Sequence, residues 1–328
     1  MPPGWPVWVA PTPPSRPLDE RVDPLPLLTP AGYIPAMGTA AVNGIEICFE
    51  TFGDPAHPTL LLVNGLGSQL LGWDEGFCRQ LAGRGHHVVR FDNRDVGLST
   101  WFDEVAYDFA AGFAAFRQRA PVVAPYTLSD MAADAVGVLD HLGVEQAHVV
   151  GMSMGGMIAQ TVAIDFPGRV ASLCSIMSST GEREVGKPTP EANAALLAKP
   201  PKTRHDAIEL AVANAKVLGS PSHFDAARVA AVAAAAYDRG FHPIASARHL
   251  LAVWQSGSRL DGLRSLSMPT LVIHGRCDPL IQLDGGLRTA EVIAGADLLV
   301  LGDMGHDLAP PLWDRVVDAL SGLVGRAS

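Results

Sequence analysis

A serine stands between two glycines in the stretch His148–Gly156, which reads HVVGMSMGG. Apolar residues precede it and a helix-compatible run follows, so the pattern predicts a strand, a sharp turn and a helix with Ser153 at the turn. Glycine is expected at Gly151 and Gly155 because a Cβ there would crowd the neighbouring strand and helix. Such a turn exposes the serine hydroxyl beside the free N–H groups of a helix start, which suits a nucleophile. Gly-x-Ser-x-Gly alone is a weak signal, and a glycine-rich turn with an incidental serine is the alternative.

A serine becomes an effective nucleophile only when a base takes its proton and a third group orients that base. Two later segments supply candidates: HGRCDP places Asp278 after an apolar run, and GDMGHD places His306 after the next one. Taken alone, Asp278 could be a turn residue before a proline, and His306 could be a surface or helix-capping histidine. Together they follow Ser153 in the order serine, acid, histidine, so we predict a catalytic triad. Asp303 and Asp307 lie too close in sequence to His306 to approach its ring from the required side.

A tetrahedral intermediate also needs two N–H donors for its oxyanion. One should be the backbone N–H of Met154, directly after the nucleophile. The other should come from the loop that follows the apolar run Thr59–Val63, where Leu66 is the best candidate. Gly65 and Gly67 flank Leu66 and would let this backbone approach the site.

The remaining segments predict the scaffold that brings these residues together. An alternating strand is expected at 45–50, and helices are expected at 74–81, at 128–142 and after Pro311. Apolar runs predict buried strands at 59–63 and 87–91 and further strands at 170–177, 269–275 and 297–301. Strands alternating with helices imply a doubly wound, mostly parallel α/β sheet. Because residues 182–267 contain only helical patterns, we predict a helical cap there, inserted into a core of residues 39–181 and 268–328.

Composition excludes several classes of function. The 328 residues are 48% hydrophobic and 18% charged, which is typical of a globular protein with a substantial core. A formal net charge of −10 argues against nucleic acid or an anionic membrane as the main partner. Neither a secretory signal nor an apolar run long enough for a membrane span is visible, so a cytoplasmic protein is expected. Residues 1–38 are proline-rich and are predicted to be an extension outside the core. No metal-ligand spacing occurs, and we expect no metal or cofactor.

Several segments together resemble the α/β-hydrolase family over about residues 40 to 328. They are the serine turn, the NGLG loop at 64–67, the DNRDVGLS segment at 92–99 and the two partner loops. Within the family, Arg90–Thr100 and His148–Gly156 are similar to the esterases that include the anthracycline methyl esterases. The family usually has histidine where this chain has Asn64, a change that leaves the main-chain donor in place. By resemblance, the 92–99 segment is a structural turn beneath the oxyanion loop.

The residues and the resemblance together predict a serine hydrolase that cleaves carboxylic esters through an acyl-enzyme. Serine at position 153 argues against relatives that use aspartate there, namely haloalkane dehalogenases and epoxide hydrolases. It leaves open lactone hydrolysis, carbon–carbon bond hydrolysis and cofactor-free peroxidation on the same triad. A ligand receptor on a hydrolase scaffold is the alternative from another class. The substrate is expected to be a small-molecule ester with an apolar group, and Met152 and Trp254 are predicted to contribute to its pocket.

Overall fold

The computed structural model describes residues 36–327. Within that range the strands are β1 (Ala36–Val42), β2 (Ile45–Phe52), β3 (Thr59–Val63), β4 (His87–Phe91), β5 (Ala147–Met152), β6 (Val170–Ile176), β7 (Thr270–Gly275) and β8 (Asp297–Leu301). They form one eight-stranded sheet in the order β1-β2-β4-β3-β5-β6-β7-β8. β2 pairs antiparallel with β1 and with β4, and every other neighbouring pair is parallel.

Two layers of helices cover the sheet. The helices outside the β6–β7 connection are α1 (Glu75–Gly83), α2 (Phe109–Arg117), α3 (Leu128–His141), α4 (Met154–Asp165), α10 (Leu283–Val292) and α11 (Trp313–Ala327). Side chains alternate along β3, so that Leu61 and Val63 pack with α3 and α4, whereas Leu60 and Leu62 pack with α1 and α11. All five residues of β3 and of β4 are buried, as expected for strands covered on both faces. The predicted doubly wound, mostly parallel sheet is confirmed.

Local signals explain where α3 begins and ends. The side chain of Thr127 accepts the N–H of Asp130, and the carboxylate of Asp130 accepts the N–H of Thr127, which forms a capping box. Gly143 follows the helix with a φ of 67°, a left-handed conformation that glycine adopts without strain. The prediction of a helix over 128–142 therefore agrees with the structure to within one residue.

Five helices occupy the connection between β6 and β7, and we call residues 190–264 the helical insertion. They are α5 (Pro190–Leu196), α6 (Arg204–Leu218), α7 (Ala226–Gly240), α8 (Ala245–Ser256) and α9 (Leu260–Arg264). α6 and α7 contain no fully buried residue, whereas α8 contains six. The helices fall in the region predicted as all-helical, but the division of the chain into a core and a cap domain stays a prediction.

Three elements lay outside the predictions: β1, α2 and α10, the last of which lies between β7 and β8, where no helix was predicted. β1 begins at Ala36, inside the stretch assigned to the proline-rich extension, and the rest of that extension lies outside the described residues. α2 was also missed, although Phe109, Phe113 and Phe116 have helical spacing. Among residues 36–327, no helix is both long and apolar enough to cross a membrane.

Candidate active site

Ser153 lies in a strained turn between β5 and α4. Its φ of 56° and ψ of −122° are unusual for a residue with a side chain, and its N–H donates to the carbonyl of Ile176 at 2.9 Å. An added Cβ at Gly151 would lie 2.0 Å from the carbonyl oxygen of Gly155, and one at Gly155 would lie 2.1 Å from that of Val63. Both glycines are therefore required by close backbone approach, as the sequence pattern predicts.

Asp278 and His306 come together with this serine. The Ser153 hydroxyl donates to Nε2 of His306 at 2.9 Å, and Nδ1–H of His306 donates to Oδ2 of Asp278 at 2.7 Å. These roles follow from the hydrogen-bond network, since a carboxylate can only accept. Asp278 is 4% exposed, and its Oδ1 accepts the backbone N–H groups of Leu280 and Ile281. Both oxygens of the carboxylate thus accept hydrogen bonds, and the carboxylate can orient the imidazole.

A second histidine adjoins the same carboxylate. Nε2 of His274 lies 3.6 Å from Oδ2 of Asp278, but its hydrogen goes to the carbonyl of Ile281 at 2.8 Å. Burial lowers the pKa of His274, so its ring is neutral at pH 7. The negative charge of Asp278 is therefore stabilised by backbone N–H groups and His306.

The two predicted oxyanion donors border the nucleophile. Met154 is the first residue of α4, where N–H groups have no intrahelical acceptor, and a Cβ at Gly65 would lie 3.4 Å from that of Ser153. Within residues 36–327, the N–H groups of Leu66 and Met154 have no hydrogen-bond acceptor. The neighbouring N–H of Gly67 is already used, because it donates to Nδ1 of His249 at 3.1 Å. Leu66 and Met154 as oxyanion donors stay a prediction.

His249, on α8, was not predicted as a site residue. It is fully buried, and its Nε2–H donates to the carbonyl of Arg94 at 2.9 Å while Nδ1 accepts from Gly67. Burial lowers its pKa, which favours the neutral ring that this pair of bonds requires. The helical insertion therefore holds the oxyanion loop, residues 64–68, from outside the core.

The 92–99 segment also supports that loop. The side-chain amide of Asn93 donates to the carbonyl of Asn64 at 3.0 Å, and the carboxylate of Asp92 accepts the N–H of Leu70 at 2.7 Å. Asp92 also pairs with Arg239 of α7 at 2.6 Å. These contacts agree with the structural role that the resemblance implies for this segment.

A cavity of about 1160 Å³ reaches the hydroxyl of Ser153 and the ring of His306. The insertion and α2 form much of its wall, and Met152 and Trp254 both line it, as the sequence predicts. Trp254 stacks on Phe116 with ring centroids 4.7 Å apart, and Phe113 lies 5.7 Å away, so one wall is aromatic. Across residues 36–327, no cluster of three or more His, Cys, Asp or Glu side chains is arranged to hold a metal ion.

Known proteins share this architecture and sequence. A profile of the family described as alpha/beta hydrolase fold matches residues 58–309. The chain is 32% identical over 299 residues to rhodomycin D methylesterase DauP of Streptomyces sp. (strain C5), covering 84% of this chain and 94% of that protein. It is 31% identical over 309 residues to rhodomycin D methylesterase DnrP of Streptomyces peucetius, covering 87% of this chain and 97% of that protein. The meta-cleavage product hydrolase CumD of Pseudomonas fluorescens IP01 superposes with a TM-score of 0.68 at 20% identity, covering 89% of this chain and 98% of that one.

At 20% identity, the likeness to CumD shows a shared fold and does not indicate a shared activity. The two methylesterases match this chain along almost their whole length. The resemblance to an esterase group that the sequence segments predict is confirmed. The chain belongs to the α/β-hydrolase family.

Proposed function

We propose that the protein is a serine hydrolase that cleaves carboxylic esters, with Ser153, His306 and Asp278 as its catalytic triad. One observation carries the proposal: the continuous hydrogen-bonded chain from the Ser153 hydroxyl through His306 to Asp278, at 2.9 and 2.7 Å. Such a chain allows a base to take the serine proton while a carboxylate fixes its tautomer. Ser153 and His306 line a cavity that is large enough for a substrate.

In this mechanism the oxygen of Ser153 attacks the ester carbonyl as its proton passes to Nε2 of His306. The backbone N–H groups of Leu66 and Met154 stabilise the oxyanion of the tetrahedral intermediate. Collapse of the intermediate breaks the bond to the alkoxy group, which leaves as an alcohol with the proton from His306. Water then attacks the acyl-enzyme with His306 again as the base, which releases the acid and restores the serine.

A methyl ester of a bulky, largely apolar acid is the substrate class that we propose. Two relatives that match along almost their whole length are methylesterases. A methoxy group fills little of a cavity of about 1160 Å³, so the acid would occupy most of it, against the aromatic wall of Phe113, Phe116 and Trp254. The helical insertion would act as the predicted cap, which adds Trp254 to the two phenylalanines that α2 contributes to this wall. Lactone or carbon–carbon bond hydrolysis on the same triad is the alternative chemistry.

Labelling with a fluorophosphonate, followed by location of the modified peptide, tests the nucleophile directly. We expect one adduct, on Ser153, and hydrolysis of p-nitrophenyl acetate by the unlabelled protein. Ser153→Ala should abolish the adduct and lower kcat by about 10⁴–10⁶, because removal of a triad member has effects of this size. Ser265→Ala is the matched control, since Ser265 is exposed and lies outside the cavity.

Hydrolysis at an unchanged rate by Ser153→Ala would overturn the assignment of the nucleophile. The substrate class is tested with esters of one bulky aromatic acid that differ only in the alcohol. We expect the methyl ester to be cleaved with a higher kcat/KM than the butyl ester. A preference for a lactone, or for a carbon–carbon bond beside a ketone, would favour the alternative chemistry.

A further inference from the structure

The loop that carries His306 is bonded to the helical insertion at three consecutive residues. The N–H of Gly305 donates to Oγ of Ser220 at 3.0 Å, and the N–H of His306 donates to the carbonyl of Leu218 at 2.7 Å. The N–H of Ser220 donates to Oδ1 of Asp307 at 2.9 Å, and its hydroxyl donates to the same oxygen. Leu218 ends α6, and Ser220 follows it, so a single turn of the insertion contacts the backbone on both sides of the histidine.

This contact is tightly packed as well as hydrogen bonded. Ser220 is fully buried. An added Cβ at Gly305 would lie 2.3 Å from the carbonyl oxygen of Gly219 and 2.7 Å from the nitrogen of Ser220, so the two backbones leave no space for a side chain. A second contact lies next to the first, where Nε2 of His223 is 2.7 Å from Oδ2 of Asp303, but that carboxylate is 43% exposed.

Backbone and side-chain N–H groups of the core bind the histidine loop on either side of these residues. The N–H of Cys277 donates to the carbonyl of Met304 at 3.0 Å, and Nε1–H of Trp313 donates to the carbonyl of Leu308 at 3.0 Å. In the described part of the chain, the hydrogen bonds made by the N–H groups of Gly305 and His306 and by the carboxylate of Asp307 all go to the insertion. The position of the His306 ring between Ser153 and Asp278 therefore depends on an element 85 or more residues earlier in the sequence.

We propose that Ser220 and Asp307 are positioning residues that hold His306 in register with Ser153 and Asp278, and that the insertion is thus part of the catalytic scaffold. The inference rests on the proposed function of the triad. Ser220 has the geometry for this role because its one hydroxyl accepts from the loop at Gly305 and donates to the loop at Asp307. Asp307 acts here as a hydrogen-bond acceptor, so an uncharged acceptor of the same shape should replace it.

Four variants test the inference: Ser220→Ala, Asp307→Ala, Asp307→Asn and, as a control, Thr203→Ala. Thr203 caps the other end of α6 by accepting the N–H of Asp206 at 3.1 Å, and it has no contact with the histidine loop. Kinetics with p-nitrophenyl acetate and the rate of fluorophosphonate labelling are measured for each, with thermal unfolding to show that the protein is folded. The acetate and the label are small, so both report on the triad more than on the cavity wall.

We expect Ser220→Ala and Asp307→Ala to lower kcat and the labelling rate by about 10- to 100-fold with little change in KM, since a misplacement of about 1 Å can have such an effect. Asp307→Asn should recover most of the loss, because the carboxamide oxygen can accept both bonds from Ser220. Thr203→Ala should match the wild-type rates. A purely structural contact would lower thermal stability without this split between kcat and KM.

Wild-type kcat in folded Ser220→Ala and Asp307→Ala would overturn the inference and leave the triad intact. Equal losses in Asp307→Asn and Asp307→Ala would overturn the hydrogen-bonding role of Asp307 in favour of its charge. The absence of any adduct on Ser153 in the wild-type protein would instead overturn the proposed function, and this inference with it.

Discussion

The sheet core and the helical insertion are held in place by different kinds of contact. In the core, β3 and β4 are buried at every residue, and α3, α4, α1 and α11 pack apolar faces against them. In the insertion, α6 and α7 have no fully buried residue. Ala252 of α8 and Leu263 of α9 do join the apolar core, but the insertion is also tied to the core by directional polar contacts. The clearest are two ion pairs, Arg239 of α7 with Asp92 at 2.6 Å and Arg248 of α8 with Asp95 at 2.5 Å.

This difference determines what each region can do for catalysis. Apolar burial is strong but non-directional, so it makes the core a stable support without fixing the orientation of one side chain. Hydrogen bonds and ion pairs are directional, and their partners are costly to leave unpaired when buried. A few polar contacts can therefore set the insertion at a defined position over Ser153 and His306, where its helices line the cavity.

The largest effect on stability is expected from removing one member of a buried ion pair. Arg248 and Asp95 are 2% and 0% exposed, and two hydrogen bonds join them. Arg248→Met leaves the carboxylate buried with its charge unpaired, so the free energy of unfolding should fall by about 3–5 kcal/mol. Urea unfolding followed by circular dichroism measures the change.

Arg204→Met provides the matched control within the same insertion. Arg204 pairs with Asp238 through two similar hydrogen bonds, but both side chains are about half exposed. Its loss should lower the free energy of unfolding far less than Arg248→Met does, because water screens the exposed pair. Equal effects of the two variants would mean that burial of Arg248 contributes nothing to how the insertion is attached.

The next effect concerns the core, where a single methyl group should disturb the nucleophile. In Gly151→Ala the new Cβ would meet backbone oxygen at 2.0 Å, so the turn must shift. We expect kcat/KM to fall by about 100-fold and the free energy of unfolding to fall by about 1–3 kcal/mol. Gly322→Ala on α11 is the control: no heavy atom lies within 4 Å of its added Cβ, and it should stabilise the helix by about 0.5–1 kcal/mol. Wild-type turnover by Gly151→Ala would contradict a tightly packed turn.

The same contrast explains what the sequence could predict. Apolar runs predict β3 and β4 with their exact bounds, because a strand covered on both faces has a distinctive composition. The bounds of β8 are also predicted, although it is an edge strand whose first residues are exposed. The order of Ser153, Asp278 and His306 could be read because parallel strands bring their carboxyl ends to one edge of the sheet. β1 was missed because it is an edge strand whose burial alternates and whose sequence, AMGTAAV, has few strongly apolar residues.

The contacts of the insertion could not be read in this way. Ser220 and Asp307 are 87 residues apart, and Gly67 and His249 are 182 apart. No periodicity or spacing relates such pairs, since each depends on how α6 and α8 pack above the finished sheet. Asp307 in particular stands next to His306 and was excluded as its carboxylate partner, yet the structure gives it a different bond, to the insertion.

The last effect that we predict is the loss of core stability in acid. His148 lies in the core on β5, is 6% exposed and bonds to the Ser172 hydroxyl at 2.8 Å; burial, with a smaller contribution from His86, lowers its pKa to about 4. An unfolded histidine titrates near 6.5, so between about pH 6.5 and 4 the unfolded chain binds a proton that the folded chain does not. The contribution of His148 to the free energy of unfolding is therefore complete above pH 6.5 and falls as the pH is lowered, by about 2 kcal/mol at pH 5.

His148→Gln should show a correspondingly weaker loss of stability between pH 7 and pH 5, whatever its stability at pH 7. Urea unfolding at both pH values measures the difference, and parallel curves for His148→Gln and the wild type would show that His148 is not kept neutral by the core.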